Sequence, residues 1–501
     1  MKARLLFREA DVPPAWEPSG HDEDVIRDLG LDVLAEVMAG GDPLVRSVAF
    51  QCLLGERPSV EDVRHRQAIV RDSLEHPKEI RALYELAHLG AESKRRSHMG
   101  LIGQSSSSIL YWAVGLLNEL AGCLDQLRSY GEQHRTLFES EGLRNLMAMI
   151  ERDLDADYIA SVRDHLNRLR FPSGVHITAE VGEDGMGNGY VLRRPKTVRW
   201  TWRSLVDWSR PDTFTYRLAE RDDLGARTLG RLRSHGVNLV ANAAAQSADH
   251  ILDFFTRLRW EVAFYVGCVN LHDRLTARGS PVCFPDPEPA DALTLDAEGL
   301  VDAGLALRSA SGLVPNDMRA TGKRLIMVTG ANQGGKSTLL RAIGLAQLMT
   351  HAGMFVTADR YRVSVSSRLL THYRREEDSA LSHGKLDEEL DRLSSLVDDA
   401  QPGCLMLFNE SFASTNEREG SQVARGVIDA LTESGVRVVF VTHLFTLAHE
   451  LAEERPQDAL FLRAERQPDG SRTFRLQPGV PQPTSYGKDL YDEVFGAAHH
   501  A

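Results

Sequence analysis

The sequence predicts a mixed fold, an all-α N-terminal half carrying a small β tip and then an α/β C-terminal domain, and three patterns predict it. Apolar residues recur at helical spacing over much of the stretch before residue 280, as on helix faces packed against a core. Apolar and polar residues alternate strictly over 175–181, and a glycine-laden stretch follows. From about residue 290, short apolar runs alternate with helical patterns, as in a sheet flanked by helices.

Taken in order, residues 21–98 read as short amphipathic helices such as 24–38 and 59–74, with turns at Gly40-Gly41 and 55–58, and so as a helical core domain over 1–100. Leu143, Leu146, Ile150, Leu154, Ile159, Val162, Leu166 and Leu169 predict one long amphipathic helix over 142–170, ended by Pro172 and Gly174. Val175, Ile177, Ala179 and Val181, the glycines of 182–189 and the run 190–192 predict a β-hairpin. The helical run 242–274 is long enough to return from it, so 101–280 reads as a lever arm with a clamp-like tip near 175–205. A proline-rich joint at 281–289 opens the α/β domain, 281–501, whose last residues 497–501 are expected to fray with His499 and His500 solvated.

A chain of 501 residues, 42% hydrophobic and 26% charged, has the balance of a globular protein with roughly two to four domains. Five scattered cysteines without close pairs exclude a zinc ribbon and suit a reducing compartment, with the cytoplasm as the expectation. The most apolar stretch, 109–117, is flanked by serines and by Asn118 and Glu119, far short of a membrane span, and no signal peptide is expected. A net charge of −13 excludes a surface uniformly coated for nucleic acid but leaves room for a local basic site.

Residues 324–338 carry the chemistry: Arg-Leu-Ile-Met-Val-Thr-Gly-Ala-Asn-Gln-Gly-Gly-Lys-Ser-Thr is an apolar strand running into a glycine loop that closes on Lys336 and Ser337. Such a loop turns consecutive N–H groups toward an anion at a helix N-terminus, so the pattern points to a nucleoside triphosphate. Gly330, Asn332, Gly334, Gly335, Lys336, Ser337 and Thr338 are the candidate binding residues, with ATP and Mg²⁺ as expected ligands. Lys336 would reach the β- and γ-phosphates and Ser337 the Mg²⁺. The apolar run 404–408 then ends at Asn409 and Glu410, where a P-loop ATPase places its Walker B acids. Glu410 is the candidate for activating water, and Asn409 supplies a neutral oxygen to the metal shell where Asp is usual, so hydrolysis is expected to be slow. His443, at the end of the apolar run 436–441, is a candidate γ-phosphate sensor.

These pieces together resemble the DNA mismatch-repair MutS family through the run 329–338, Asn409-Glu410 with Ser414-Thr415, Val441-Thr442-His443, and Ser485-Tyr486-Gly487. The resemblance is specific over about 300–490 and architectural over 20–280. It implies an ABC-type P-loop ATPase domain, a homodimer, and DNA as partner in repair or recombination. The family's Gly-x-Phe-x-Glu wedge does not precede the helical core, which implies a shortened member without the family's mismatch-recognition domain. The signature loop falls at 382–385, with Leu386 where a phosphate-contacting serine is expected; Leu386, Leu390, Leu393 and Val397 read instead as one helix face. At the arm tip, Arg193, Arg194, Lys196, Arg199 and Arg203 interleave with Tyr190, Trp200, Trp202 and Trp208. That mixture suits phosphate contact and stacking, or equally aromatic packing under a solvated basic face; the resemblance favours DNA. Two alternatives remain open: an ATP-dependent scaffold acting on protein or RNA, and a small-molecule P-loop kinase.

Overall fold

The computed structural model describes residues 1–8, 17–55, 58–96, 106–171, 174, 176–181, 183, 187–193, 223–309, 312–375, 385–467 and 471–482. The chain divides into two compact units, one of Met1–Ala3, Ala82–Leu137 and Asn145–Arg259, the other of Arg4–Arg81, Phe138–Arg144 and Trp260–Ala501.

Four helices begin the chain: α1 (Gly20–Leu29), α2 (Leu31–Ala39), α3 (Pro43–Leu54) and α4 (Val60–Glu75). The amphipathic segment expected over 24–38 is two helices, because Gly30 takes a left-handed conformation (φ 66°) that ends α1 and starts α2. Ser19 with Asp22, and Ser59 with Asp62, form capping boxes that satisfy first-turn N–H groups of α1 and α4.

There follow α5 (Pro77–Ala91), α6 (Ser93–Arg96), α7 (Ser106–Gln133), α8 (Glu141–Asp153), α9 (Ala156–Leu169), the strands β1 (His176–Val181) and β2 (Gly187–Arg193), and α10 (Asp223–Thr276). The single helix expected over 142–170 is thus broken: the Asp155 carboxylate accepts from the Tyr158 N–H at 2.6 Å and starts a new helix after Leu154. β1 pairs antiparallel with β2, His176 opposite Arg193, with an irregularity between Thr178 and Glu180. α10 is 54 residues long. The stretch expected to fall far short of a membrane span belongs to α7, 28 residues long and, by length and composition, apolar enough to cross a bilayer. In the fold 44% of its most apolar window is buried, and Leu110, Ala113, Leu117, Leu120, Leu124 and Leu127 form the inward stripe of a core helix.

The sheet domain contains β3 (Asp286–Glu288), β4 (Leu295–Leu300), α11 (Ala303–Arg308), β5 (Asn316–Arg319), β6 (Leu325–Gly330), α12 (Lys336–His351), β7 (Arg360–Ser364), β8 (Leu369–Tyr373), α13 (Lys385–Asp399), β9 (Leu405–Asn409), α14 (Glu417–Glu433), β10 (Arg437–Val441), α15 (Phe445–Glu454), β11 (Ala459–Arg466) and β12 (Arg472–Pro478). Its larger sheet has the order β12-β11-β6-β10-β9-β8, parallel from β11 to β8 with β12 antiparallel at one edge. A second sheet runs β3-β7-β4-β5. β6, β9 and β10 are largely apolar and almost wholly buried because helices cover both faces, and Phe408 stacks on Phe440 at 5.1 Å within that core.

Packing does not follow a boundary near residue 100. α1 lies against β8 and α12, and α2 against α11, so the first helices belong with the sheet. Gly344 in α12 shows how closely: a Cβ there would meet Leu29 and Leu407 side chains at 2.8 Å. Residues 5–7 are also built in. Leu5 and Leu6 are fully buried, and their N–H groups donate to Glu261 Oε2 at 2.5 and 3.2 Å. Tyr265 donates to the Leu5 carbonyl at 2.6 Å, and Arg66 donates to the Leu6 and His351 carbonyls at 2.8 and 3.1 Å while lying over the Phe7 ring.

Candidate functional site

The parallel strands β6, β10 and β9 deliver three sequence-predicted groups to one edge of the sheet. β6 ends at Gly330 (φ 112°), the loop passes Gln333 (φ 58°), and Gly335 (φ 90°) caps α12. Gly335 has two reasons to be glycine, since a side chain would meet a left-handed backbone and the Phe474 carbonyl at 3.3 Å. Lys336, the first residue of α12, is 5% exposed and donates to the carbonyls of Gly330 and Ala331 at 3.0 and 2.9 Å. Burial pushes its ammonium down to about 8, against the pull of Glu410, with Arg472 adding to the fall.

At the end of β9, Asn409 Oδ1 accepts from the Ser337 hydroxyl at 2.9 Å. Two neutral oxygens side by side at a phosphate loop suit Mg²⁺, a hard cation that keeps several waters and takes most of its charge neutralisation from phosphates. Glu410 is left-handed (φ 56°), with its N–H held by the Val441 carbonyl at 2.9 Å, and this turns its carboxylate out of the strand. His443 Nε2–H donates to Glu410 Oε1 at 2.9 Å. That hydrogen bond holds the Glu410 carboxyl below the usual range, helped by the charges of Lys336 and Arg374 against its burial. A carboxylate kept ionised beside a phosphate loop can accept a proton from water.

Residues 332–338, Arg374, Glu410, His443 and Phe474 line one cleft of about 680 Å³. Arg193 lies elsewhere, on β2, its Nε–H donating to Thr178 Oγ1 at 3.0 Å. Arg194, Lys196, Arg199, Arg203, the three tip tryptophans, 382–384 and 485–487 lie outside the described residues. Leu386 and Leu390 pack against the core with the buried Leu393, but Val397, expected on the same face, is 45% exposed and Leu396 is buried instead.

Three residues escaped the sequence reading. Arg374 directly follows β8 and faces the cleft; its only signal was an Arg-Arg pair closing an apolar run. Phe474 projects from β12 with φ 59° and is 48% exposed. Glu389, on α13, accepts from the Phe412 N–H at 3.2 Å and the Ser414 hydroxyl at 2.7 Å, fixing the turn that follows Glu410.

Two family models match the chain, the MutS2 N-terminal domain over residues 58–278 and MutS domain V over 326–490. Among curated relatives, the DNA mismatch repair protein MutS of Natronomonas pharaonis is 32% identical over 206 residues, 39% of this chain and 24% of the relative. Its namesake in Myxococcus xanthus is 30% identical over 226 residues, 43% of this chain and 25% of that protein. The matched region therefore spans about a quarter of the length of these relatives. With one model on the helical half and another on the sheet domain, the chain belongs to the MutS family.

Proposed function

We propose that this chain is an ABC-type P-loop ATPase that binds ATP with Mg²⁺, hydrolyses it slowly, and as a homodimer couples nucleotide state to movement of its helical arms on DNA, in repair or recombination. The observation that carries the reading is the convergence of Lys336, Ser337 and the Glu410–His443 pair on one cleft, with Asn409 hydrogen-bonded to Ser337. In this reading Lys336 and the loop N–H groups hold the phosphates, Glu410 takes a proton from the attacking water, and His443 senses the terminal phosphate through Glu410. Mg²⁺, held by Ser337 and Asn409, would neutralise charge on the β- and γ-oxygens. Relatives named for DNA mismatch repair support DNA as the partner. The five cysteines are free thiols, which supports a cytoplasmic placement.

The test is ATP binding and turnover by the full chain, alone and with duplex, branched or single-stranded DNA. Lys336→Ala is expected to lower ATP affinity by at least about tenfold, the loss of one charged contact in a mostly buried site. Affinity of the unsubstituted chain should fall as pH rises through about 8, where Lys336 sheds its proton, and binding above that pH should take up a proton. Turnover that no DNA changes would favour a scaffold acting on protein or RNA. Absence of ATP binding would end the proposal.

Asn409→Asp adds a full charge to the metal shell and is expected to lower the Mg²⁺ concentration for half-maximal turnover several-fold, on the order of 1 kcal/mol. An unchanged Mg²⁺ titration would remove Asn409 from the shell.

A further inference from the structure

We propose that Arg374 contacts the transferred phosphoryl group, supplying from the same chain a second phosphate cation opposite the loop lysine. This role rests on the ATPase reading and deepens it.

The sheet makes the placement. β8 lies beside β9, and Arg374 follows the last residue of β8, where its N–H donates to the Asn409 carbonyl at 3.0 Å. The backbone that carries the guanidinium is thus tied to the residue before Glu410. Its side chain lines the cleft with Lys336, Ser337, Glu410 and His443, and its charge is felt at the Glu410 carboxyl.

The other arginines around β8 have different work. Arg368 pairs with Asp399 at 2.6 Å, Arg375 pairs with Asp24, and Arg392 donates to the Tyr373 carbonyl at 2.8 Å. Arg374 has no ion pair among the described residues and is exposed, so the fold does not need its charge. A cation held at its base, without an ion pair among the described residues, and facing a phosphate loop is placed to meet an anion. A guanidinium also offers a rigid fork of donors matched to phosphoryl oxygens.

The step it serves is balanced within the cleft. The water oxygen bonds to the γ-phosphorus, and the bond from that phosphorus to the β–γ bridging oxygen breaks with its electron pair left on ADP. Glu410 takes the proton from water and later releases it, giving ADP, inorganic phosphate and H⁺. Charge spreads over the three equatorial oxygens at the transition state, where a second cation has its largest effect. With Asn409 neutral in the metal shell, Arg374 is not matched by a carboxylate at that position.

The experiment compares Arg374→Ala and Arg374→Lys in the full chain by single-turnover hydrolysis, equilibrium ATP binding, and trapping of ADP with aluminium fluoride as a transition-state mimic. Arg374→Ala is expected to slow hydrolysis about 100-fold or more and to lose trapping, with ATP affinity within about threefold of the unsubstituted chain. Arg374→Lys should recover part of the rate. Unchanged turnover and trapping in Arg374→Ala, or a loss confined to ATP affinity, would overturn this role and leave the ATPase reading standing. Failure of the unsubstituted chain to bind ATP would overturn both.

Discussion

Glu410→Gln is expected to slow ATP hydrolysis by about 10²- to 10⁴-fold while ATP binding is retained. Gln keeps the size of the side chain and an acceptor for His443, but an amide cannot take a proton from water. The native carboxyl is held below the usual range by the His443 hydrogen bond, so the proposed base is ionised at neutral pH. The sign for stability follows the usual acid pattern: the Glu410–His443 interaction favours the fold above the unfolded carboxyl's pKa and is lost as pH falls through the lowered native value. Single-turnover phosphate release beside equilibrium ATP binding separates chemistry from affinity. Turnover within a few-fold of the unsubstituted enzyme would mean that another group activates water.

Glu261→Leu is expected to destabilise the sheet-containing unit by about 3–5 kcal/mol, a large part of the roughly 5–15 kcal/mol that holds most folds together. The carboxylate accepts the N–H groups of Leu5 and Leu6 where all three residues are buried. Leucine would leave both donors without that acceptor, and would loosen two side chains whose burial contributes about 1.5–3 kcal/mol each. Glu261→Gln, which keeps one acceptor oxygen, should lose less. Urea unfolding followed by a probe in the sheet domain measures the difference, and equal stability of the Leu variant would show that the N-terminal segment adds nothing to the fold.

The phosphate loop was legible because its information is local: the strand, the glycines, Lys336 and Ser337 are contiguous in the chain. Asn409, Glu410 and His443 could be singled out because each sits at or just past the end of a largely apolar run, and parallel strands bring such ends to one edge. Breaks between helices were harder. Apolar spacing continues across Gly30 and Asp155, so periodicity alone joins what a left-handed glycine and a capping carboxylate divide. Arg374 and the Leu5–Leu6 segment were out of reach for a different reason. One depends on β8 lying beside β9, and the other on partners 255 and 256 positions away.

The close approach at Gly344 has a mechanical consequence. Wedged between Leu29 and Leu407, α12 has little freedom to roll, and its 16 residues form a strut about 24 Å long. Lys336 stands at one end and the His351 carbonyl, gripped by Arg66, at the other. The strut therefore joins the glycine loop at one end to the guanidinium at the other that also holds the Leu6 carbonyl.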